Sequence, residues 1–98
     1  MNVAIIGGNE RMERRYIDIC KSYEFDAKVF TKVKGIRNKI GKPDMLILFT
    51  NTISHKMVTQ ALNYAPKDVN VVRVHSSSIR ALKEILDNYA GGNLNYGQ

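Results

Sequence analysis

Four short apolar runs punctuate the chain: NVAII at 2–6, AKVFT at 27–31, DMLILF at 44–49 and VNVVRV at 69–74. Each is short, largely aliphatic or β-branched and followed by polar or glycine-containing segments, which predicts a strand. DMLILF carries no polar alternation after Asp44, as expected for a central strand covered on both faces. Between the runs the hydrophobic period changes. Met12, Tyr16, Ile19, Cys20 and Tyr23 recur three and four positions apart, while Arg11, Glu13, Arg14, Asp18 and Lys21 take the opposite face. This predicts a helix from Glu10 to about Tyr23, with Asn9 as its cap. Val33, Ile36, Arg37 and Ile40 sketch a short basic helix that Gly41 and Pro43 terminate.

A third helix is predicted from a Ser54 cap to about Ala65, with Val58, Ala61, Leu62 and Ala65 as its buried stripe. The last should begin after the hydroxyls of Ser76, Ser77 and Ser78 and bury Ile79, Leu82, Ile85, Leu86 and Tyr89. AGGNLNYGQ shows neither period nor core. The expected organisation is one α/β domain over 1–89 and a flexible tail over 90–98.

Strand and helix thus alternate four times, and right-handed crossovers turn such a chain into an open parallel sheet with helices on both faces. The expected strand order is 2-1-3-4, a Rossmann-like, flavodoxin-like arrangement. Function then follows from topology. Open α/β sheets bind ligands at the carboxyl ends of their strands, where the strand order reverses, which here lies between the first strand and the third.

The residues expected at that rim are Gly7, Gly8 and Asn9 after the first strand, and Thr50, Asn51, Thr52, Ser54 and His55 after the third. His75 and Ser76 to Ser78 follow the fourth strand on the same edge. These residues form the candidate site for a small ligand or anion. Gly7-Gly8 is not the full dinucleotide fingerprint, because Arg11 and Met12 stand where its third glycine would fall and Thr31-Lys32 replace the ribose-binding acid. Amides at the start of the first helix remain candidates for a phosphate. His55 is a candidate metal or haem ligand, since a neutral imidazole binds metal. Two histidines without a neighbouring Cys, Asp or Glu make an incomplete zinc set. A serine hydrolase would also need an acid to orient its imidazole, and the rim loops offer none.

Composition narrows the picture. Ninety-eight residues, 44% of them hydrophobic, suit one core. No apolar run approaches the roughly 20 residues of a membrane span, and the start MNVAIIGGNE lacks a basic leader, so a soluble cytoplasmic protein without membrane contact is expected. The single Cys20 falls on the apolar stripe and is expected to be an inert core thiol. Net charge is +6, and Lys28, Lys32, Lys34, Arg37, Lys39 and Lys42 account for a matching excess within a stretch that has no acid. Such a patch is either a solvated surface or a nucleic-acid contact. Phe30 is the only aromatic among these cations, and it belongs to a strand, so base stacking has little support. Two open sheet edges make a homodimer the expected assembly.

Gly7-Gly8 after the leading strand, the run from Asp44, the pair Ser54-His55 and the serines Ser77-Ser78 together resemble a bacterial family filed as domain of unknown function 2325. The resemblance covers about nine-tenths of the chain. It implies a Rossmann-like domain found alone or at the end of longer proteins, with interest attached to Gly7, Gly8, Ser54, His55, Ser77 and Ser78. Through a few longer relatives it also implies a link to haem-dependent oxidative chemistry. Three functions stay open: a ligand-binding or regulatory module at the rim, a metal- or haem-binding redox domain using His55, and a nucleic-acid binder using the basic segment from Lys28 to Lys42. No cofactor or reaction is specified.

Overall fold

The fold comes from a computed structural model that describes residues 1–95. Four strands, β1 (Asn2–Ile6), β2 (Asp26–Phe30), β3 (Met45–Phe49) and β4 (Asn70–Val74), form one parallel sheet in the order β2-β1-β3-β4. This is the expected strand order. Strand β3 is buried at every position, as its unbroken apolar run predicted.

Alternate strand residues feed two cores. Val3, Ile5, Met45, Ile47 and Phe49 face α1 (Glu13–Ser22) and α4 (Ile79–Asn95), whose Tyr16, Cys20, Leu82 and Leu86 are fully buried against them. Ala4, Ile6, Leu46 and Leu48 face α2 (Ile36–Lys39) and α3 (His55–Tyr64). Burial on both sides explains why the inner strands carry aliphatic residues without alternation.

Local differences have physical causes. Asn9 accepts from the Arg11 amide as expected, but a 3-10 turn, Glu10–Met12, comes before α1. The basic helix α2 is a single turn, because Gly35 precedes it in the left-handed region and Gly41 follows it. In α3 and its cap Met57, Ala61 and Ala65 are buried and Val58 packs against the same core, whereas Leu62 is 40% exposed. Val58, Ala61 and Ala65 thus face the sheet as expected, and Met57 takes the place expected for Leu62.

The backbone of α4 runs on to Asn95, beyond Tyr89, while the end of the expected tail, 96–98, falls outside the described residues. Among the described residues no helix is long and apolar enough to cross a membrane.

At the amino edge of the sheet, the Asp44 carboxylate accepts from the Asn2 amide at 2.8 Å, and the Asp44 amide donates to the Asn2 carbonyl at 2.7 Å. Asp44 thereby fixes the register of β1 against β3. On the outer side of the helices, the Tyr23 hydroxyl donates to the Asp87 carboxylate and joins α1 to α4.

Candidate functional site

The polar crowding after β3 is a set of ties between loops. The Thr52 hydroxyl accepts from the Gly8 amide at 2.7 Å and donates to the Phe49 carbonyl at 3.1 Å, which binds the β1 loop to the β3 loop. Gly7 and Gly8 both have positive φ, +98° and +90°. A Cβ on Gly7 would run into the Ile53 side chain and stand 2.8 Å from Thr52 Oγ1, and one on Gly8 would stand 2.7 Å from the Tyr16 ring. The Gly-Gly pair is therefore required by close loop packing as well as by backbone conformation.

Tyr16 extends the network to β4. Its ring is fully buried against Phe49, and its hydroxyl donates to the Ser77 carbonyl at 2.7 Å while lying 3.4 Å from the Asn9 amide. Thr50 adds a backbone bond to Val74, and the Asn51 amide reaches the His75 carbonyl at 3.3 Å. The loops of β1, β3 and β4 do come together as expected. At the switch point, however, Thr52 and Ile53 pack against Gly7 and Gly8, where a ligand crevice was expected.

The serines act as caps. Ser54 Oγ accepts from the Met57 amide at 3.2 Å, Ser78 Oγ from the Ala81 amide at 3.1 Å, and Ser76 Oγ from the Ser78 amide at 3.2 Å. His55, in the first turn of α3, and His75, at the end of β4, are exposed, as is Asn51. Among the described residues no three His, Cys, Asp or Glu side chains come together as a metal-ligand set. Cys20 lies in the core, where burial pushes its thiol up to about 11.

A different concave surface lies at the carboxyl end of β2. Thr31, Lys32, Lys34, Asn38 and Lys39 line it, with Glu10 and Glu13 on the far wall, around a volume of about 460 Å³. Lys32 Nζ is 3.7 Å from Glu10 Oε1, which leaves Lys34 and Lys39 as the cations there without an ion-pair partner among the described residues. The hollow lies between the end of β2 and the single turn of α2. That turn buries Ile36 and turns Asn38 and Lys39 towards Val29 and Phe30, and the Lys28 amine donates to the Lys39 carbonyl at 3.0 Å.

The basic segment does not form one surface. Lys28, Lys32, Lys34, Lys39 and Lys42 lie on the outer side of α2 along β2, whereas the Arg37 guanidinium sits 5.6 Å above the ring of Tyr64, on α3. Tyr64 is 42% exposed and escaped the sequence reading, since nothing in the local pattern of α3 signals that α2 will pack beside it. The pairing is tertiary, and the only hint in the sequence was an aromatic at the polar end of an amphipathic helix.

No curated protein and no solved structure matches the chain. A family model does: the one described as an uncharacterized protein conserved in bacteria, DUF2325, matches residues 2–89, from the first strand to Tyr89 on α4. That span takes in the whole sheet, the packed loops of its carboxyl edge and the basic β2 groove, and the chain belongs to this family.

Proposed function

We propose that the domain is a ligand-binding or regulatory module whose site is the basic groove at the carboxyl end of β2, and that its ligand carries phosphate or a comparable anion. The observation that carries this reading is the pairing of shape with charge: Lys32, Lys34, Lys39, Asn38 and Thr31 line one concave space at the carboxyl end of β2, where Glu10 is already paired with Lys32. Cations near a low-dielectric wall concentrate anions, and Asn38 and Thr31 add donors that orient an oxyanion.

In the expected rim of Gly7, Gly8, Asn9, Thr50, Thr52, Ser54 and Ser76 to Ser78, several groups are committed to caps and loop ties. Asn51, His55 and His75 are exposed on the loops after β3 and β4, beyond β1 from the groove, and would meet only a ligand that extends across the sheet edge.

Calorimetric titration with inorganic pyrophosphate tests the proposal. Binding is expected to weaken at least tenfold in the Lys34→Glu/Lys39→Glu variant, a loss of about 1.4 kcal/mol or more, with the unfolding midpoint unchanged because both side chains are exposed. His55→Ala should bind as the parent does. Absence of pyrophosphate binding at millimolar concentration, or binding indifferent to the double reversal, would overturn the assignment.

A further inference from the structure

The groove at the end of β2 does not stop there. A second hollow, lined by Lys28, Phe30, Lys39 and Gly41, shares Asn38 and Lys39 with the first. A third, lined by Asn2, Asp26, Lys42 and Pro43, shares Lys28 with the second. The three spaces therefore follow one another along β2, from Lys34 at the carboxyl end to Lys42 at the amino end, where the third also reaches Asn2 and Val3 of β1. Five strand residues span about 16 Å, so these cations are spread over more length than a single phosphate occupies.

β2 is an edge strand. The Asp26 amide bonds to the Met1 carbonyl and the Phe30 carbonyl to the Gly7 amide, so these residues face β1. By alternation Ala27 and Val29 turn their peptide groups outward. Lysines on an edge strand also discourage pairing with another chain. One mid-strand cation such as Lys28 serves that purpose, and it leaves Lys34, Lys39 and Lys42 unexplained. Carboxylates stand at the ends of the run, Glu10 and Glu13 at one and Asp26 at the other, while the middle hollow has none.

We infer that the partner of this edge is nucleic acid, held through its phosphate backbone along β2 without reading of base sequence. The inference rests on the anion site proposed above and extends it from one end of β2 to the whole edge. A linear row of amines with no exposed aromatic among the groove's lining residues matches a repeating phosphate chain better than it matches bases. Binding through phosphates releases counterions, so affinity falls steeply with salt. Single strands and duplexes share this chemistry, and the length and form of the probe separate them.

The test is fluorescence anisotropy with labelled single-stranded oligonucleotides of increasing length and with duplexes of the same sequences, at low and moderate salt. Expected are affinity that rises with length, little dependence on sequence, and a log–log salt slope of about −2 to −3 for single strands, the value for three to four phosphate contacts. Lys42→Glu, which changes only the hollow at the amino end, should weaken oligonucleotide binding several-fold and leave pyrophosphate binding at Lys34 and Lys39 intact, whereas Lys28 is kept because its amine donates to the Lys39 carbonyl at 3.0 Å. Lys42→Gln serves if the reversal disturbs folding. Lys67→Glu, a matched charge change elsewhere, should have little effect.

Equal losses in Lys42→Glu and Lys67→Glu would mean that net charge alone drives binding, and would overturn the edge assignment. Pyrophosphate binding with no gain on lengthening the oligonucleotide would overturn the nucleic-acid inference and leave the small-ligand site standing. Absence of both would remove the site itself.

Discussion

At the scale of the residue, side chains that look alike in the sequence have different consequences in the fold. Ser54 and His55 are adjacent, but Ser54 caps α3 through the Met57 amide while His55 is exposed. Ser54→Ala is expected to cost about 1 kcal/mol of stability, the usual value of a lost cap, and His55→Ala less than about 0.5 kcal/mol, as for other surface changes. Denaturant unfolding of the two single variants checks both. Gly7→Ala should be far worse, by about 2 to 4 kcal/mol, since it combines a left-handed backbone with collision against Ile53 and Thr52.

Cys20 gives a pH signature. Its thiol is raised from an ordinary 9.0 to about 11 by burial, so the folded state holds the proton more tightly than the unfolded chain. The stabilisation is complete below about pH 9 and is lost as pH climbs towards 11, a fall of about 2 to 3 kcal/mol at most. Cys20→Ala should lack this component. Comparing unfolding free energies of the two proteins from pH 8 to 11 isolates it from the titration of lysines and tyrosines common to both.

At the scale of the element, the parts legible in the sequence were those governed by local physics. Strand β3 announced itself because a strand covered on both faces needs no polar residue, and the caps at Asn9 and Ser54 were readable because capping depends on nearest neighbours. Thr52 was recognised as a rim residue, but its partner, Gly8, is 44 positions away, so its role as a tie between two loops could not be read from its neighbours. Arg37 over Tyr64 and the hollow beside α2 were hidden for the same reason, since both depend on where helices come to rest.

Tyr16→Phe removes the hydroxyl that joins the β1 loop to Ser77 and keeps the buried ring. It should cost about 1 kcal/mol and speed amide hydrogen exchange in the loops after β1 and β4, while β3 keeps its protection.

For the whole molecule, charge separates the two open edges of the sheet. β2 carries the lysine row, whereas β4 offers the half-buried Val71, Val72 and Val74 with Arg73 as its one charge. The Asn70 amide and the Val74 carbonyl bond towards β3, so the peptide groups of Val71 and Arg73 face outward. Like charges along β2 repel a second copy, and the homodimer expected from the open edges should therefore join β4 to β4. Light scattering across micromolar to millimolar concentration should report it. Arg73→Pro should return the protein to a monomer with little change in melting temperature, because proline is tolerated on an edge where the lost amide faces solvent. A parent that stays at 11.1 kDa throughout would exclude this dimer.

Helix α2 is one turn long and is bracketed by Gly35 and Gly41. Between them, Ile36 and Ile40 alone are committed to the core, while Arg37, Asn38 and Lys39 are exposed. A contiguous stretch of chain that rests on the scaffold by two anchoring isoleucines is a replaceable cassette. Its outward residues can be rewritten without repacking the sheet, so the surface beside β2 can change its chemistry while the fold stays the same.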